Sequence, residues 1–441
     1  MKKLLSSLMA AAIVTSSAAT VVACGGGSGE KIWLITDTGK VADKSFNQSG
    51  FEGGNYFNEN MLGIKREINK TEPQELTELE AAYENAKADG AQVLILPGFH
   101  HALEGQNKAA DIMGESGSTI ILDSTHAGKT NQIGVMFRGD VSGFYAAFSS
   151  LVQLAENKAN VIKMATYGGT HNAGAVDNFM VGYLAAIEVF NKINSEDAYS
   201  EIKTSLGLDE NLVTAERIQK EAPTADDDSK WFTNSFDPGK GKTISENLVT
   251  SGADIIMPVA GPQTKDTLDV ISQKNASTMV IGVDTNQAQQ YSDATYAGKF
   301  LTSAEKSLKD ATIISLGHTK SFISEEGVQD KTLEYATNNN ATFTIENSEG
   351  NFESYDLTKN KAETWEGKTL WMGGKASTGE GNLVTSENYS KVTSQISSEV
   401  LEKVSIELFK EIAKDSSAKN ILSDETIINY ANTILKAIEN K

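Results

Sequence analysis

Asp89-Gly-Ala-Gln-Val-Leu-Ile-Leu-Pro-Gly98 returns in the second half of the chain as Ser251-Gly-Ala-Asp-Ile-Ile-Met-Pro-Val-Ala260. In each copy a glycine precedes a short unbroken apolar run, the pattern of a strand buried on both faces. Ahead of the first copy, Leu76, Leu79, Tyr83 and Ala86 fall at three- and four-residue spacings and predict an amphipathic helix over 73–89. Gly90 ends that helix, because glycine takes the left-handed conformation without penalty. A second match accompanies the first: Ile120-Ile-Leu-Asp123 returns as Ile281-Gly-Val-Asp284. Gly90 to Gly252 is 162 positions and Asp123 to Asp284 is 161, so both matches share nearly one offset. A period this long is no solenoid. It predicts an α/β chain of two similar lobes, each a doubly wound parallel sheet with helices on both faces.

The opening strands, Lys31-Ile-Trp-Leu-Ile-Thr36 and Val161-Ile-Lys-Met-Ala165, are only 130 positions apart. The second lobe is therefore expected to carry an insertion, and the polar stretch 194–230 with its Asp226-Asp-Asp228 run fits a functionally silent surface excursion. The expected organisation is lobe one over 31–140, completed by about 285–325, and lobe two over 141–284, completed by later segments. From Thr385 onward the pattern changes. Val392, Ile396, Val400, Val404, Leu408 and Ile412 recur every four residues and predict one amphipathic helix; residues 421–438 suggest another. Residues 385–441 thus read as a helical extension packed against the body.

The N-terminus reads as an address. Lys2 and Lys3 precede an apolar stretch over 4–22, and Val21-Val-Ala-Cys24 closes it, so 1–23 has the layout of an export signal. The closing residues resemble a bacterial lipobox, which implies a lipid on Cys24 and cleavage before it. Cys24 is the only cysteine among 441 residues, so disulfides are excluded and the thiol stands where a lipidated one would. Residues 24–30, rich in glycine, read as a flexible leash. A plain secretory signal and a retained membrane helix are the alternatives. No later run is expected to reach transmembrane length, and the formal charge of −20 repels phosphate backbones, so nucleic-acid binding is disfavoured.

In open parallel sheets, ligands bind beyond the carboxyl ends of the strands. Asp37, Asp123 and Asp284 stand there, the last two at equivalent positions of the repeat. After Asp37 a polar loop runs through Asp43-Lys-Ser-Phe-Asn-Gln-Ser49 into a helix over 50–60, and Phe46 in it is a candidate stacking platform. Other features carry less chemistry. Gly239-Lys-Gly-Lys-Thr243 lacks the glycine a phosphate loop needs, since Phe236 occupies that place. His100 and His101 are adjacent, so in a strand they would face opposite ways, and no carboxylate at metal spacing accompanies them. No metal or cofactor is expected, and the absence of a Gly-x-Ser-x-Gly elbow gives nucleophilic hydrolysis little support.

The run Asp37-Thr-Gly-Lys-Val-Ala-Asp-Lys-Ser-Phe-Asn-Gln-Ser49 closely resembles the opening motif of the basic membrane protein family. These are substrate-binding lipoproteins of ABC importers, and purine nucleoside receptors fall among them. The resemblance continues through Pro97-Gly-Phe99, Phe137, Asn178-Phe-Met-Val-Gly-Tyr183 and Ser235-Phe-Asp-Pro-Gly-Lys-Gly-Lys242. It resumes in Ser251-Gly-Ala-Asp-Ile-Ile256 and Ile281-Gly-Val-Asp-Thr-Asn-Gln287 and ends in Leu301-Thr-Ser-Ala-Glu-Lys306. It implies a fold like the type I periplasmic binding proteins, two lobes on a hinge that close over a solute. It further implies that Phe46 and Phe236 sandwich a base, and that Asp37, Asn47, Asp123, Asp284 and Lys306 make polar contacts. Gly261 would allow close backbone approach. Pro97 departs from the expected pattern, because it offers no side-chain hydrogen bond to a base edge. The implied protein is a monomeric, non-enzymatic receptor on the outer face of the cell membrane. It would be tethered there by lipid and would pass a nucleoside to a permease driven by a separate ATPase. The rivals are a surface adhesin or antigen, a nucleoside hydrolase and a zinc-capture protein.

Overall fold

The computed structural model describes residues 31–103, 105–156, 160–208, 213–224, 226–346, 351–404 and 419–440. The signal, Cys24 and the leash lie outside the described residues, as do Leu408 and Ile412 of the tail. Strands run in chain order as β1 (Ile32–Ile35), β2 (Asn69–Thr71), β3 (Val93–Pro97), β4 (Ser118–Leu122) and β5 (Gln132–Phe137). They continue as β6 (Val161–Gly168), β7 (Thr214–Arg217), β8 (Ile255–Val259), β9 (Met279–Asp284) and β10 (Phe300–Glu305). The last are β11 (Phe343–Glu346), β12 (Phe352–Ser354), β13 (Lys368–Met372) and β14 (Lys375–Ala376).

Two sheets result. In lobe one the order is β12-β11-β13-β5-β4-β3-β1-β2; in lobe two it is β14-β10-β9-β8-β6-β7. The parallel cores, 2-1-3-4-5 and 7-6-8-9-10, are the same doubly wound arrangement used twice. Alternation along each opening strand explains the covering helices. Ile32 and Leu34 enter one apolar cluster and Trp33 and Ile35 another, on the opposite face. Ile162 and Met164 divide from Ala165 and Tyr167 in the same way. The repeat extends to backbone detail. Asp123 and Asp284, at the ends of β4 and β9, both adopt positive φ, 66° and 67°, a region aspartate tolerates better than most side chains.

Several sequence expectations change here. β7 lies inside the stretch read as a surface excursion and pairs with β6 from Thr214 to Arg217, so it is the counterpart of β2. It was hidden because it is a short, largely polar edge strand. β10 lies in the second sheet, not the first; of the segment 285–325 it is the helix Leu308–Gly317 that covers lobe one, against the helix Phe46–Tyr56. Lobe one is completed by β11, β12 and β13 instead. The tail is not one helix through Ile412. The helix Ser386–Gln395 stops at Ile396, whose φ and ψ are −123° and 85°, and a new turn begins at residue 398. Ile396 is fully buried and its carbonyl accepts the Tyr145 hydroxyl at 2.8 Å, so a tertiary contact overrides the four-residue pattern.

The helix Asn178–Ser195 is the interior column of lobe two. The apolar stretch Ala173–Ser195 containing it would suit a membrane span by length and composition, but 94% of its window is buried inside the protein. The last helix, Asp424–Glu439, packs on it through Ile427, Tyr430, Ile434 and Ile438. Full burial of each such side chain contributes about 1.5–3 kcal/mol. The chain passes between lobes at Phe137–Gly139, at Glu305–Leu308 and at Met372–Lys375. The tail grips the first crossing. Arg138 Nη2 donates to the Glu402 carbonyl at 2.7 Å, and the Tyr430 hydroxyl donates to the buried Asp140 at 2.6 Å.

Candidate functional site

The carboxyl ends of β1, β3 and β4 face those of β8 and β9 across the space between the lobes, and nearly every candidate residue collects there. Phe46 is not in a loop, as its polar surroundings predict, but is the first residue of the helix Phe46–Tyr56. Asp43 explains the early start. Its carboxylate accepts the backbone N–H of Ser45, Asn47 and Gln48 at 2.8, 2.8 and 3.1 Å, satisfying donors a helix start leaves open. The Asn47 side chain donates to the same carboxylate at 3.0 Å, which fixes its amide and leaves Oδ1 buried without a partner among the described residues. Burial pushes the Asp43 carboxyl up to about 6, against the pull of these bonds.

Lys306, on the second crossing between lobes, is the centre of charge. Its ammonium lies 2.5 Å from Asp123 and 3.6 Å from Asp284, and also donates to the Ala175 carbonyl at 3.0 Å. The rings of Phe46 and Phe179 stand 5.1 and 5.2 Å from it, close enough for cation–π attraction from both lobes. All three charged groups are less than one-tenth exposed. Burial raises the Asp123 carboxyl to about 6, an effect Lys306 opposes and Asp284 reinforces. Asp123 Oδ1 is buried without a partner among the described residues, a second acceptor left over at the same place.

Asp284 also reaches the other lobe: the Ser45 hydroxyl donates to it at 2.7 Å. Gly261, with φ of +40°, sits beneath this contact, and a Cβ there would come within 2.8 Å of Ser45 Oγ. Only glycine lets the lobes approach so closely. Beside it Lys44 donates to the Gln290 carbonyl at 2.9 Å and lies over the Tyr291 ring at 4.8 Å. The turn 43–45 that leads into the helix Phe46–Tyr56 thus closes lobe one onto lobe two.

Phe236 stands on the lobe-two side, packed so tightly on Gly169 that a Cβ there would meet its ring at 2.5 Å. From lobe one it meets Phe99 and His100, each with ring centres 6.2 Å away. Asp37 is held by His100, whose Nδ1 lies 2.6 Å from Oδ2. Burial works against the charge on Asp37, but the bond and charge of His100 outweigh it and keep the carboxyl below its ordinary value.

The structure therefore brings Asp37, Phe46, Asn47, Asp123, Phe236, Gly261, Asp284 and Lys306 to the facing strand ends. Sequence reasoning missed Ser45, Phe179 and His100 as members of the same constellation. Ser45 and Phe179 lay inside motifs quoted for other residues; His100 was weighed only as a metal ligand. Among the described residues no group of three or more His, Cys, Asp or Glu could hold a metal ion. A cavity of about 480 Å³ lies elsewhere, between Met372–Ala376, the turn Asn339–Thr342 and Ser397–Glu402, and no candidate residue lines it.

The arrangement offers flat rings on both lobes and buried acceptors around one ammonium, chemistry suited to a neutral solute with an aromatic part and several hydroxyls. Comparisons agree on the class of protein. The family described as "Bmp: ABC transporter substrate-binding protein PnrA-like" matches residues 31–198 and 218–318. An uncharacterized lipoprotein of Mycoplasma genitalium, MG040, is 23% identical over 58% of this chain and 55% of its own. Its Mycoplasma pneumoniae homolog is 22% identical over 59% of this chain and 50% of its own, so the chain spans about half the length of these relatives. The Lactococcus lactis protein named ABC transporter nucleoside-binding protein BmpA is 24% identical over 66% of this chain and 71% of its own. The fold matches a solute-binding protein of an ABC transporter system from Aeropyrum pernix, with a TM-score of 0.53 and 17% identity. That match covers 92% of this chain and 98% of the other. The two doubly wound lobes are thus of the type I periplasmic-binding-protein kind, and the chain belongs to the Bmp family of PnrA-like ABC transporter substrate-binding proteins.

Proposed function

We propose that this protein is a tethered extracytoplasmic receptor that captures a purine nucleoside between its lobes and delivers it to a permease. Catalysis plays no part, because reversible capture needs complementarity to the ground state of the ligand. The observation that carries the reading is the buried cluster of Lys306, Asp123 and Asp284 beside the Phe46 ring. The buried acceptors Asp123 Oδ1 and Asn47 Oδ1 suit the hydroxyls of a ribose, which an apolar pocket could not satisfy. Phe46 and Phe236, on opposite lobes, suit the two faces of a base, at about 1–3 kcal/mol for each stacked face. The Lactococcus relative, named as nucleoside-binding, supports the same ligand class. In the tethered form, a lipid on Cys24 and the leash after it keep the lobes within reach of the permease.

Calorimetry with guanosine, inosine and adenosine tests the assignment. The protein is expected to bind at least one of them, and Phe46→Ala to weaken that binding roughly ten- to hundredfold, the equivalent of one lost stacking face. Unchanged binding in the variant sinks the sandwich. Appearance of free hypoxanthine on incubation with inosine would replace the receptor by a hydrolase. Labelling of the cells with a radioactive fatty acid, compared between the natural chain and Cys24→Ala, tests the tether.

A further inference from the structure

We propose that His100 reads the edge of the bound base through its Nε2 atom, and that Asp37 is the positioning residue that sets which proton His100 carries. The inference rests on the nucleoside reading and adds to it the residue that chooses among bases.

Asp37 follows β1, and His100 sits in the 3₁₀ turn Phe99–Ala102 that follows β3. β1 and β3 are neighbours at the point where the strand order of lobe one reverses, the place where doubly wound sheets open a crevice. Gly98, with φ of 112°, makes the turn possible and leaves room for the carboxylate, since a Cβ there would lie 2.6 Å from Asp37 Oδ2. His100 Nδ1 meets that oxygen at 2.6 Å. The other oxygen accepts the backbone N–H of Thr38 at 2.7 Å and of Gly39 at 3.3 Å. Asp37 is therefore engaged on both oxygens within the protein.

An ionised carboxylate only accepts, so the hydrogen in this bond belongs to His100 Nδ1. Whenever the ring is neutral, this bond leaves the lone pair on Nε2, for which no hydrogen-bond partner is present among the described residues. The imidazole stands edge-on to Phe236, with 6.2 Å between ring centres and an interplanar angle of 81°. Phe99 lies against its other side at 4.4 Å. A base stacked on Phe236 has its edge beside this imidazole. His101 serves as the contrast. It is buried, bonded through Nδ1 to the Tyr83 hydroxyl at 2.6 Å, and held neutral by burial, with its pKa lowered to about 4. One histidine of the pair is structural and its neighbour faces the cleft.

A fixed acceptor demands a donor. Bases with an N–H on the Watson–Crick edge, such as guanine, hypoxanthine and adenine, satisfy it. The base of purine riboside has the same shape but no such hydrogen. Pro97 offers no side-chain bond of its own, so discrimination falls to the turn beyond it.

The test is a set of dissociation constants at pH 8 by calorimetry, for guanosine, inosine, adenosine and purine riboside. The natural protein should prefer one N–H-bearing nucleoside over purine riboside by about tenfold or more. His100→Phe should bring that ratio close to one while purine riboside still binds; His100→Gln serves the same purpose if the phenylalanine variant fails to fold. Asp37→Asn is the sharper variant. The N–H groups of Thr38 and Gly39 hold the amide oxygen, so the amide nitrogen donates to Nδ1 and Nε2 becomes a donor. The preference should then turn toward purine riboside, whose ring nitrogens only accept, a reversal that loosened structure would not produce. Nucleoside binding by the natural protein with the same ratio in every folded variant overturns the role of His100 alone. No binding of any nucleoside overturns the receptor reading and this inference together.

Discussion

Asp123 and Asp284 end equivalent strands of the two lobes in the same left-handed backbone conformation, yet they hold different partners. Asp123 is committed to the ammonium of Lys306, and its second oxygen has no partner among the described residues. Asp284 lies farther from that ammonium and instead accepts the Ser45 hydroxyl of the opposite lobe. The repeat has preserved a backbone that projects a carboxylate into the cleft, and the neighbours have divided the work. Both carboxylates belong to the buried charge cluster, and Asp284 is in addition a latch between the lobes.

The division breaks most visibly at Lys306. Lys306→Met strands Asp123 as a buried charge without its cation, which should cost about 3–5 kcal/mol of folding stability in urea unfolding and abolish nucleoside binding. A loss below about 1 kcal/mol would mean the pair is solvated and the comparison misjudged. A pH dependence at Asp123 comes next. The folded-state pKa of Asp123 is about 6, above the unaltered value of 3.8, so the folded protein holds this proton more tightly than the unfolded chain does. The stability it contributes is fully present below about 3.8 and is lost as pH rises through about 6. The stability of the natural protein relative to Asp123→Asn should therefore grow as pH falls across that window, by about 3 kcal/mol. A difference that is flat from pH 4 to pH 8 would contradict it. The smallest effect belongs to the latch. Ser45→Ala should weaken nucleoside binding roughly tenfold, while the unfolding free energy of the ligand-free protein changes by less than about 0.5 kcal/mol. An equal loss of both would make Ser45 a folding residue.

What could be read in the sequence was whatever repeats or lies close along the chain. The doubled Gly-to-Asp stretches gave both parallel cores, and the Asp37 to Ser49 motif gave the loop that closes on lobe two. The last helix, too, was legible from its own pattern. What escaped depends on partners far away in sequence. β7 is four residues long and largely polar, and is a strand only because β6 offers an edge. β11 to β13 complete lobe one although they follow the crossing at Lys306, and no local signal says which sheet a strand will join. The break at Ile396 follows from Tyr145, 251 residues earlier. His100 was legible as a residue but not as a partner, because its bond to Asp37 requires knowing that β1 and β3 are neighbours.

The bond between Tyr430 and Asp140 closes a span of 290 residues. A ribosome releases Asp140 and the apolar helix Asn178–Ser195 long before it reaches the helix that covers them. Lobe one waits similarly for β13, which wedges between β5 and β11. During synthesis, therefore, neither lobe can finish in turn, and a broad apolar column stays wet until the helix Asp424–Glu439 has been made. Such a chain is exposed to aggregation while it waits, and its folding is better suited to starting from a complete, unfolded polypeptide than to proceeding lobe by lobe.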